Sequence, residues 1–186
     1  MKILSLVLIL IVTIIAARNM FLSFRSQSPA DYAHIGPDFE LKEHLSGRIQ
    51  SEGLIYGPNG KMTNSFVAEM LGEWDGDTGT LTESFTYNNG RKQERKWYLK
   101  IGSGNSFTAT ADDIVGTAQG VVSGSTVMLT YKIILPKESG GHTLSATDWM
   151  YLTANGVIMN KSEMRKYGLK VAELIATMRP DPAVKP

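Results

Sequence analysis

Hydrophobic and polar residues alternate along most of the chain after residue 47, which is the pattern of β-strands with one buried face. Each strand signal in the first half of this region ends at a turn sequence: PNG at 58–60, DGDTG at 75–79, NNG at 88–90 and GSGN at 102–105. Short strands with turns at this spacing are typical of an all-β sandwich or barrel. No long amphipathic helix separates the strands, so the sequence does not support a doubly wound α/β fold.

The hairpin around NNG allows a prediction residue by residue, because side chains alternate between the two faces of a strand. A three-residue loop at 88–90, whose final glycine is left-handed, sets Glu83 opposite Arg95 and Leu81 opposite Trp97. A two-residue loop would set apolar positions against charged ones. The sequence therefore predicts an inward ion pair between Glu83 and Arg95, either as a buried pair that fixes the register or as a holder for a ligand's polar end.

A second acidic position, Asp148, lies in DWMYL at 148–152, where either face of the strand could be the inner one. Pointing inward, Asp148 would join Glu83 and Arg95 as a polar cluster in an apolar cavity, the surroundings that perturb carboxyl pKa values. Structural hydrogen bonding across one end of a barrel is the alternative. The candidate residues for a ligand pocket or interior polar cluster are Glu83, Arg95, Trp97, Asp113, Tyr131, Asp148 and Asn160. We assign no catalytic and no metal-binding residue.

The N-terminus carries the longest hydrophobic run, at residues 3–17. Its fifteen residues suit the hydrophobic region of a signal peptide and are short for a membrane span, which needs about 20. However, cleavage after Ala17 would leave Ile15 where a small residue is wanted, and apolar residues up to Phe24 extend the run. We therefore favour a retained membrane anchor at residues 1–25 over a cleaved signal peptide. We favour both of these over a buried core helix.

The rest of the 186 residues suit one domain. Residues 26–37 are polar and rich in proline and glycine, which predicts a tether, and residues 38–180 form the predicted domain. We expect Asp38 to cap a short helical turn at the start of this domain. The stretch 169–178 fits a final strand or a helix, and residues 181–186 are predicted to be a disordered tail.

Composition and charge exclude several classes of site. Cysteine is absent, which excludes disulfides, thiolate metal sites, a cysteine nucleophile and the acylated cysteine of a lipoprotein. The formal charge is +1, and three basic residues precede the first acidic one, leaving about −2 for the rest, so we expect no nucleic-acid partner. Three scattered histidines and the absence of nucleotide-binding or nucleophile motifs predict no metal and no cofactor.

The assembled segments resemble a bacterial family of proteins of unknown function, DUF3833, which is regarded as lipocalin-like. The resemblance spans roughly residues 40–180 and rests on the Arg95 and Trp97 strand together with EWDGDTGTLTESFTYNNG at 73–90, ADDIVGTAQG at 111–120, DWMYL at 148–152 and NKSEMRKYG at 160–168. It implies an antiparallel lipocalin-like β-barrel and an envelope location, and no known activity. Many family members begin with a lipoprotein signal, whereas this chain has no cysteine, so we expect anchoring through the peptide itself.

The function we predict is a noncatalytic, envelope-located protein that binds a hydrophobic ligand such as a lipid or fatty-acyl-like molecule. This prediction rests on the barrel pattern, on the hydrophobic N-terminus and on the expected interior aromatics Phe85, Tyr87, Trp97 and Tyr131. Two alternatives stay open: an enzyme that acts on a lipid-like substrate through interior carboxylates, and a structural or interaction protein of the envelope. Because Lys2 precedes the hydrophobic run, we expect an inner-membrane anchor with the domain facing the periplasm, or export to the periplasm after cleavage.

Overall fold

The computed structural model describes residues 2–181, and within this range ten antiparallel strands close into a barrel. The strands are β1 (Gly47–Tyr56), β2 (Met62–Asp75), β3 (Thr78–Tyr87), β4 (Lys92–Ile101), β5 (Ser106–Thr110), β6 (Ala118–Ser123), β7 (Thr126–Ile134), β8 (Thr143–Leu152), β9 (Ile158–Lys166) and β10 (Leu169–Pro180). Each strand pairs with its neighbours in sequence, and β1 pairs with β10 to close the cylinder. The all-β antiparallel barrel predicted from the sequence is confirmed.

The helical elements are short except for the first. They comprise the α-helices α1 (Lys2–Phe21) and α2 (Leu41–His44) and 3-10 helices at Phe24–Ser26, Pro29–Tyr32 and Lys137–Ser139. The predicted helical turn is α2, but its N-cap is Glu40 and not Asp38. Its neighbours Phe39 and Leu45 are buried with Leu41, so this turn contributes its apolar residues to the core.

The α2 turn closes one end of the barrel, which we call the closed end. The backbone carbonyl of Leu45 accepts a hydrogen bond of 3.0 Å from the indole Nε1 of Trp74. The same carbonyl lies so near Gly72 that a Cβ atom built there would be 1.9 Å from its oxygen. Glycine at position 72 is therefore required for the turn to seat against β2.

The segment predicted as a tether packs against the outer wall of the barrel. The ring of Tyr32 lies 5.2 Å from that of Trp149 and 5.8 Å from that of Tyr151, between centroids. The hydroxyls of Tyr32 and Tyr151 both donate to the side-chain oxygen of Gln27, at 2.6 and 2.7 Å. Trp149 and Tyr151 face outward on β8, and the segment that covers them keeps Trp149 buried. Asp148 lies on the inner face of the same strand.

The N-terminal helix α1 leaves apolar side chains such as Ile3, Leu6 and Leu8 exposed. Among the residues that the structure describes, no helix is both long enough and apolar enough to cross a membrane. The N-terminal anchor stays a prediction from the sequence. Residues 182–186 of the predicted tail lie outside the described residues.

The hairpin register is the predicted one. Glu83 pairs with Arg95 and Leu81 with Trp97 across β3 and β4, and Gly90 in the connecting loop has a φ of +81°. The ambiguous stretch 169–178 belongs to a strand, β10. The strand before it, β9, runs from Ile158 to Lys166, and its inward side chains, Asn160, Ser162 and Met164, alternate with Lys161, Glu163 and Arg165 on the other face.

Small inward residues make room for aromatic rings. Gly120 of β6 faces the interior, where a Cβ atom would lie 2.2 Å from the ring of Phe107. Gly53 of β1 likewise accommodates the ring of Phe66, at 2.5 Å from an ideal Cβ. These rings occupy part of the interior, and the remaining space forms the cavity described next.

Candidate ligand-binding cavity

A cavity of about 350 Å³ runs through the barrel interior. Near the closed end its lining includes Leu45 and Met178, and at the opposite end it includes Arg91, Pro136 and Ser139 from the connections between strands. We call this opposite end the mouth. The volume falls within the roughly 300–1,000 Å³ of small-molecule sites.

The wall of the cavity is largely apolar, with polar side chains set among the apolar ones. On β3, Glu83 lies between Leu81 toward the closed end and Phe85 toward the mouth, and all three line the cavity. On β8, Asp148 is likewise followed toward the closed end by Met150. We call six of these inward polar residues the polar belt: Ser51, Glu83, Arg95, Tyr131, Asp148 and Asn160.

Arg95 is held by a residue that the sequence analysis did not assign to it. Its Nε atom lies 3.0 Å from a carboxylate oxygen of Asp113, in the connection between β5 and β6, so the predicted ion pair with Glu83 is wrong. The guanidinium lies 4.2 Å above the ring of Trp97 and 5.8 Å from that of Tyr131. Burial opposes the charge of Arg95, but the electrostatic effects of Tyr131, Glu83 and Asp113 prevail and raise its pKa.

Glu83 faces Arg95 across the strands but is left without a full set of partners. Its side chain is buried, and its Oε2 atom has no hydrogen-bond partner. Burial raises the pKa of Glu83 to about 7; the charge of Arg95 acts against this rise, and those of Asp113 and Asp148 add to it. Near neutral pH, Glu83 is therefore divided between its protonated and ionised forms.

Asp148 accepts a hydrogen bond of 2.9 Å from the hydroxyl of Tyr131 through its Oδ2 atom. Burial raises the pKa of Asp148, although the hydroxyls of Ser162 and Tyr131 and the charge of Arg95 oppose this. The pKa of Tyr131 is raised well above its ordinary value by burial and by the adjacent Asp148. Tyr131 therefore acts as a neutral hydrogen-bond donor in this pair.

Five buried side-chain atoms among the described residues lack a hydrogen-bond partner, and all five belong to the polar belt. They are Ser51 Oγ, Glu83 Oε2, Arg95 Nη2, Asp148 Oδ1 and Asn160 Oδ1. Each buried polar atom left unpaired costs about 1–3 kcal/mol, so such atoms are rare in folded proteins and call for an explanation. Their concentration around one cavity makes that cavity the candidate site.

The structure brings all seven sequence-predicted candidates to this cavity: Glu83, Arg95, Trp97, Asp113, Tyr131, Asp148 and Asn160. The sequence analysis missed Ser51, Ser162, Arg91 and Gln93, which line the same cavity. Strict alternation in β1, from Ile49 through Ser51 to Ile55, was a signal that could have identified Ser51. Within residues 2–181, no group of three or more potential ligand side chains is placed to hold a metal ion.

The model of a protein family described as proteins of unknown function, DUF3833, matches residues 19–180. The chain belongs to this family. The DUF3833 match includes the segment that packs on the outer wall as well as the barrel. Comparison with curated proteins finds no significant sequence match.

Three solved structures with the same fold have little sequence in common with this DUF3833 protein. The S-type phycobiliprotein lyase CPES from Guillardia theta is 9% identical, with a TM-score of 0.56 over 75% of this chain and 89% of the other. Rv2717c from M. tuberculosis is 14% identical, with a TM-score of 0.54 over 76% and 96%. A DUF3598 protein of unknown function from Nostoc punctiforme is 10% identical, with a TM-score of 0.54 over 78% and 51%. At these identities the likeness shows the fold alone.

Proposed function

We propose that this protein is a noncatalytic binding protein whose barrel holds one mostly hydrophobic small molecule, such as a lipid or a fatty-acyl-like compound. The observation that carries the proposal is the cavity itself: its volume fits a small molecule, its wall is largely apolar, and five unpaired buried polar atoms belong to residues that line it. The apolar wall favours a hydrocarbon portion, and the polar belt provides hydrogen-bond partners for one polar end.

We also propose that the protein works beside a membrane in the cell envelope, with the hydrophobic N-terminal segment as its attachment. This part rests on the hydrophobic sequence at residues 3–17 and on the exposed apolar side chains of α1. Fractionation of cells, followed by protease treatment of intact and opened envelopes, tests it. Recovery of the protein in the soluble cytosol would contradict it.

Extraction and mass spectrometry test the binding proposal. We expect the full-length chain, purified in mild detergent, to release a small hydrophobic compound on denaturation and to carry its mass in native spectra. Ala172 lines the cavity, so Ala172→Trp should block binding. The matched control is Ala154→Trp in an exposed turn, which should leave binding unchanged. Equal binding by both variants would contradict occupation of the barrel.

One observation favours a second candidate function, an enzyme that acts on a lipid-like substrate. Glu83 is buried beside the cavity with a pKa of about 7, the value suited to proton transfer at neutral pH. If Glu83 transfers a proton, Glu83→Gln should reduce turnover of the recovered compound far more than it reduces its binding. A recovered compound that stays chemically unchanged on incubation with the wild-type chain would instead favour simple binding.

A further inference from the structure

The charges that face the cavity are unevenly matched. Three carboxyl groups, Glu83, Asp113 and Asp148, line it together with two guanidinium groups, Arg91 and Arg95. Asp113 and Arg95 neutralise each other through their contact of 3.0 Å. Within the polar belt, Glu83 and Asp148 are thus left without a cation of their own.

Arg91 does not supply that cation, because it lies at the mouth and is already engaged there. Its Nη1 atom donates to the side-chain oxygen of Gln93 at 3.2 Å, and its guanidinium lies 4.1 Å above the ring of Tyr87. In β3, Phe85 lies between the level of Tyr87 and that of Glu83. On β3, the unpaired Glu83 is therefore separated from the level of Tyr87 and Arg91 by the ring of Phe85.

Most of the unpaired atoms of the polar belt are hydrogen-bond acceptors, in line with the excess of carboxyl groups. Asp148 Oδ1 and Asn160 Oδ1 are acceptors, whereas Arg95 Nη2 is a donor only. Glu83 Oε2 is an acceptor when ionised, and Ser51 Oγ can act in either direction. A molecule that satisfies this set must present more N–H or O–H groups than acceptor oxygens.

We infer that the bound molecule enters polar end first and that this end is a hydrogen-bond donor, an amine, a primary amide or a hydroxyl, and not a carboxylate. This inference rests on the proposed binding function and specifies the ligand's polar end. A carboxylate has no donor at neutral pH, would meet Asp148 and the ionised form of Glu83 with charge of the same sign, and would find its unpaired donors in Arg95 and Ser51. An ammonium or amide group can donate to Asp148 and Asn160 at once.

A series of four compounds with the same dodecyl chain tests the inference: dodecylamine, dodecanol, dodecanamide and dodecanoate. The full-length chain, stripped of copurified compounds, is incubated with an equimolar mixture at neutral pH, and the bound masses are quantified by native mass spectrometry. We expect dodecanoate to bind at least about tenfold more weakly than each of the others, the scale set by one unsatisfied charged hydrogen bond. Dodecanoate binding as tightly as dodecylamine overturns the inference.

The variant Asp148→Asn identifies the contact. It should weaken the binding of dodecylamine about tenfold relative to that of dodecanol, because it removes the negative charge that pairs with the ammonium group. Glu94→Gln, on the outer face of β4, is the matched control and should change neither affinity. If Arg91→Ala abolishes dodecylamine binding and Asp148→Asn does not, the head group lies at the mouth, and the inferred entry with the polar end first is wrong.

The outcomes separate this inference from the function on which it rests. If none of the four compounds binds the wild-type chain and no other compound is recovered from it, the binding function itself fails. If all four bind with equal affinity, or if dodecanoate binds best, the barrel binds hydrophobic molecules but the inferred donor head group is wrong. The wild-type ranking alone decides this, so the result stands even if Asp148→Asn does not fold.

Discussion

Glu83 and Arg95 lie directly opposite each other on adjacent strands, yet Arg95 forms its ion pair with Asp113 from a connection at the mouth. The strand register determines which residues face each other, but the connection between β5 and β6 determines which carboxylate neutralises the guanidinium. Glu83 consequently stays buried with an unpaired oxygen and a pKa raised to about 7.

The raised pKa of Glu83 predicts a pH-dependent stability. A carboxyl group that binds its proton more tightly in the folded state stabilises the fold below its unfolded pKa of 4.5, and this contribution is lost as the pH rises through about 7. Relative to Glu83→Gln, the wild type should lose on the order of 3 kcal/mol of unfolding free energy between about pH 4.5 and pH 8. Denaturant unfolding of both proteins across this range measures the difference.

The control for this experiment is Glu94→Gln, which alters an exposed carboxyl group on the neighbouring strand. Its stability difference from the wild type should stay constant over the same pH range. A constant difference for Glu83→Gln as well would show that burial does not raise the pKa of Glu83.

The Asp113 contact predicts a contrast between two adjacent aspartates. Asp113→Asn removes the partner of a largely buried guanidinium, and because Asp113 is itself 27% exposed we expect a loss of about 2 kcal/mol, below the usual cost for a fully buried pair. Asp112→Asn, at the exposed neighbouring position, should change stability by less than about 0.5 kcal/mol. Thermal and denaturant unfolding of both variants measure the contrast. Equal losses of stability in Asp113→Asn and Asp112→Asn would show that Arg95 has another effective partner.

The contact between Gly72 and Leu45 predicts that the closed end is sensitive to a single methyl group. Gly72→Ala places a Cβ atom against the Leu45 carbonyl oxygen, so either β2 or the α2 turn must shift, at a cost of about 1–3 kcal/mol. Gly57→Ala places its Cβ 3.2 Å from the side-chain methyl group of Thr63, with no backbone atom nearer than 3.9 Å, and should cost less than about 1 kcal/mol. Differential scanning calorimetry gives the unfolding midpoint of each variant. Equal midpoints for Gly72→Ala and Gly57→Ala would contradict the role of Gly72.

The packing of Tyr32 predicts that residues ahead of the barrel stabilise it. Tyr32→Ala removes a ring from Trp149 and Tyr151 and a donor from Gln27, for an expected loss of about 2 kcal/mol and a red shift of tryptophan emission. Tyr167→Ala, which truncates a tyrosine that is 94% exposed, should have little effect. Unchanged unfolding of Tyr32→Ala would show that the segment is a free tether after all.

The hairpin register was predictable because two local signals agreed. The NNG loop admits few geometries, and in the other register its strands would set apolar side chains against charged ones. The positions of Glu83, Arg95 and Trp97 followed from this agreement. The alternation of polar and apolar residues and the turn sequences likewise predicted the fold class. They did not predict the number of strands.

The remaining features depend on contacts between distant parts of the chain. The inner face of β8 was ambiguous because Trp149 is buried from outside by Tyr32, a partner that alternation within the strand cannot reveal. The partner of Arg95 depends on the path of a connection eighteen residues away in sequence.

Pairing of β1 with β10 joins the two extremes of the domain, from Ile49 with Pro180 to Tyr56 with Glu173. A ribosome must therefore deliver the whole barrel sequence before β1 meets its second partner. Until then the nascent strands have unpaired edges and no enclosed interior, which makes the partial chain a target for chaperones and for aggregation. A guest molecule can consequently be loaded only into a finished protein, after synthesis and not during it.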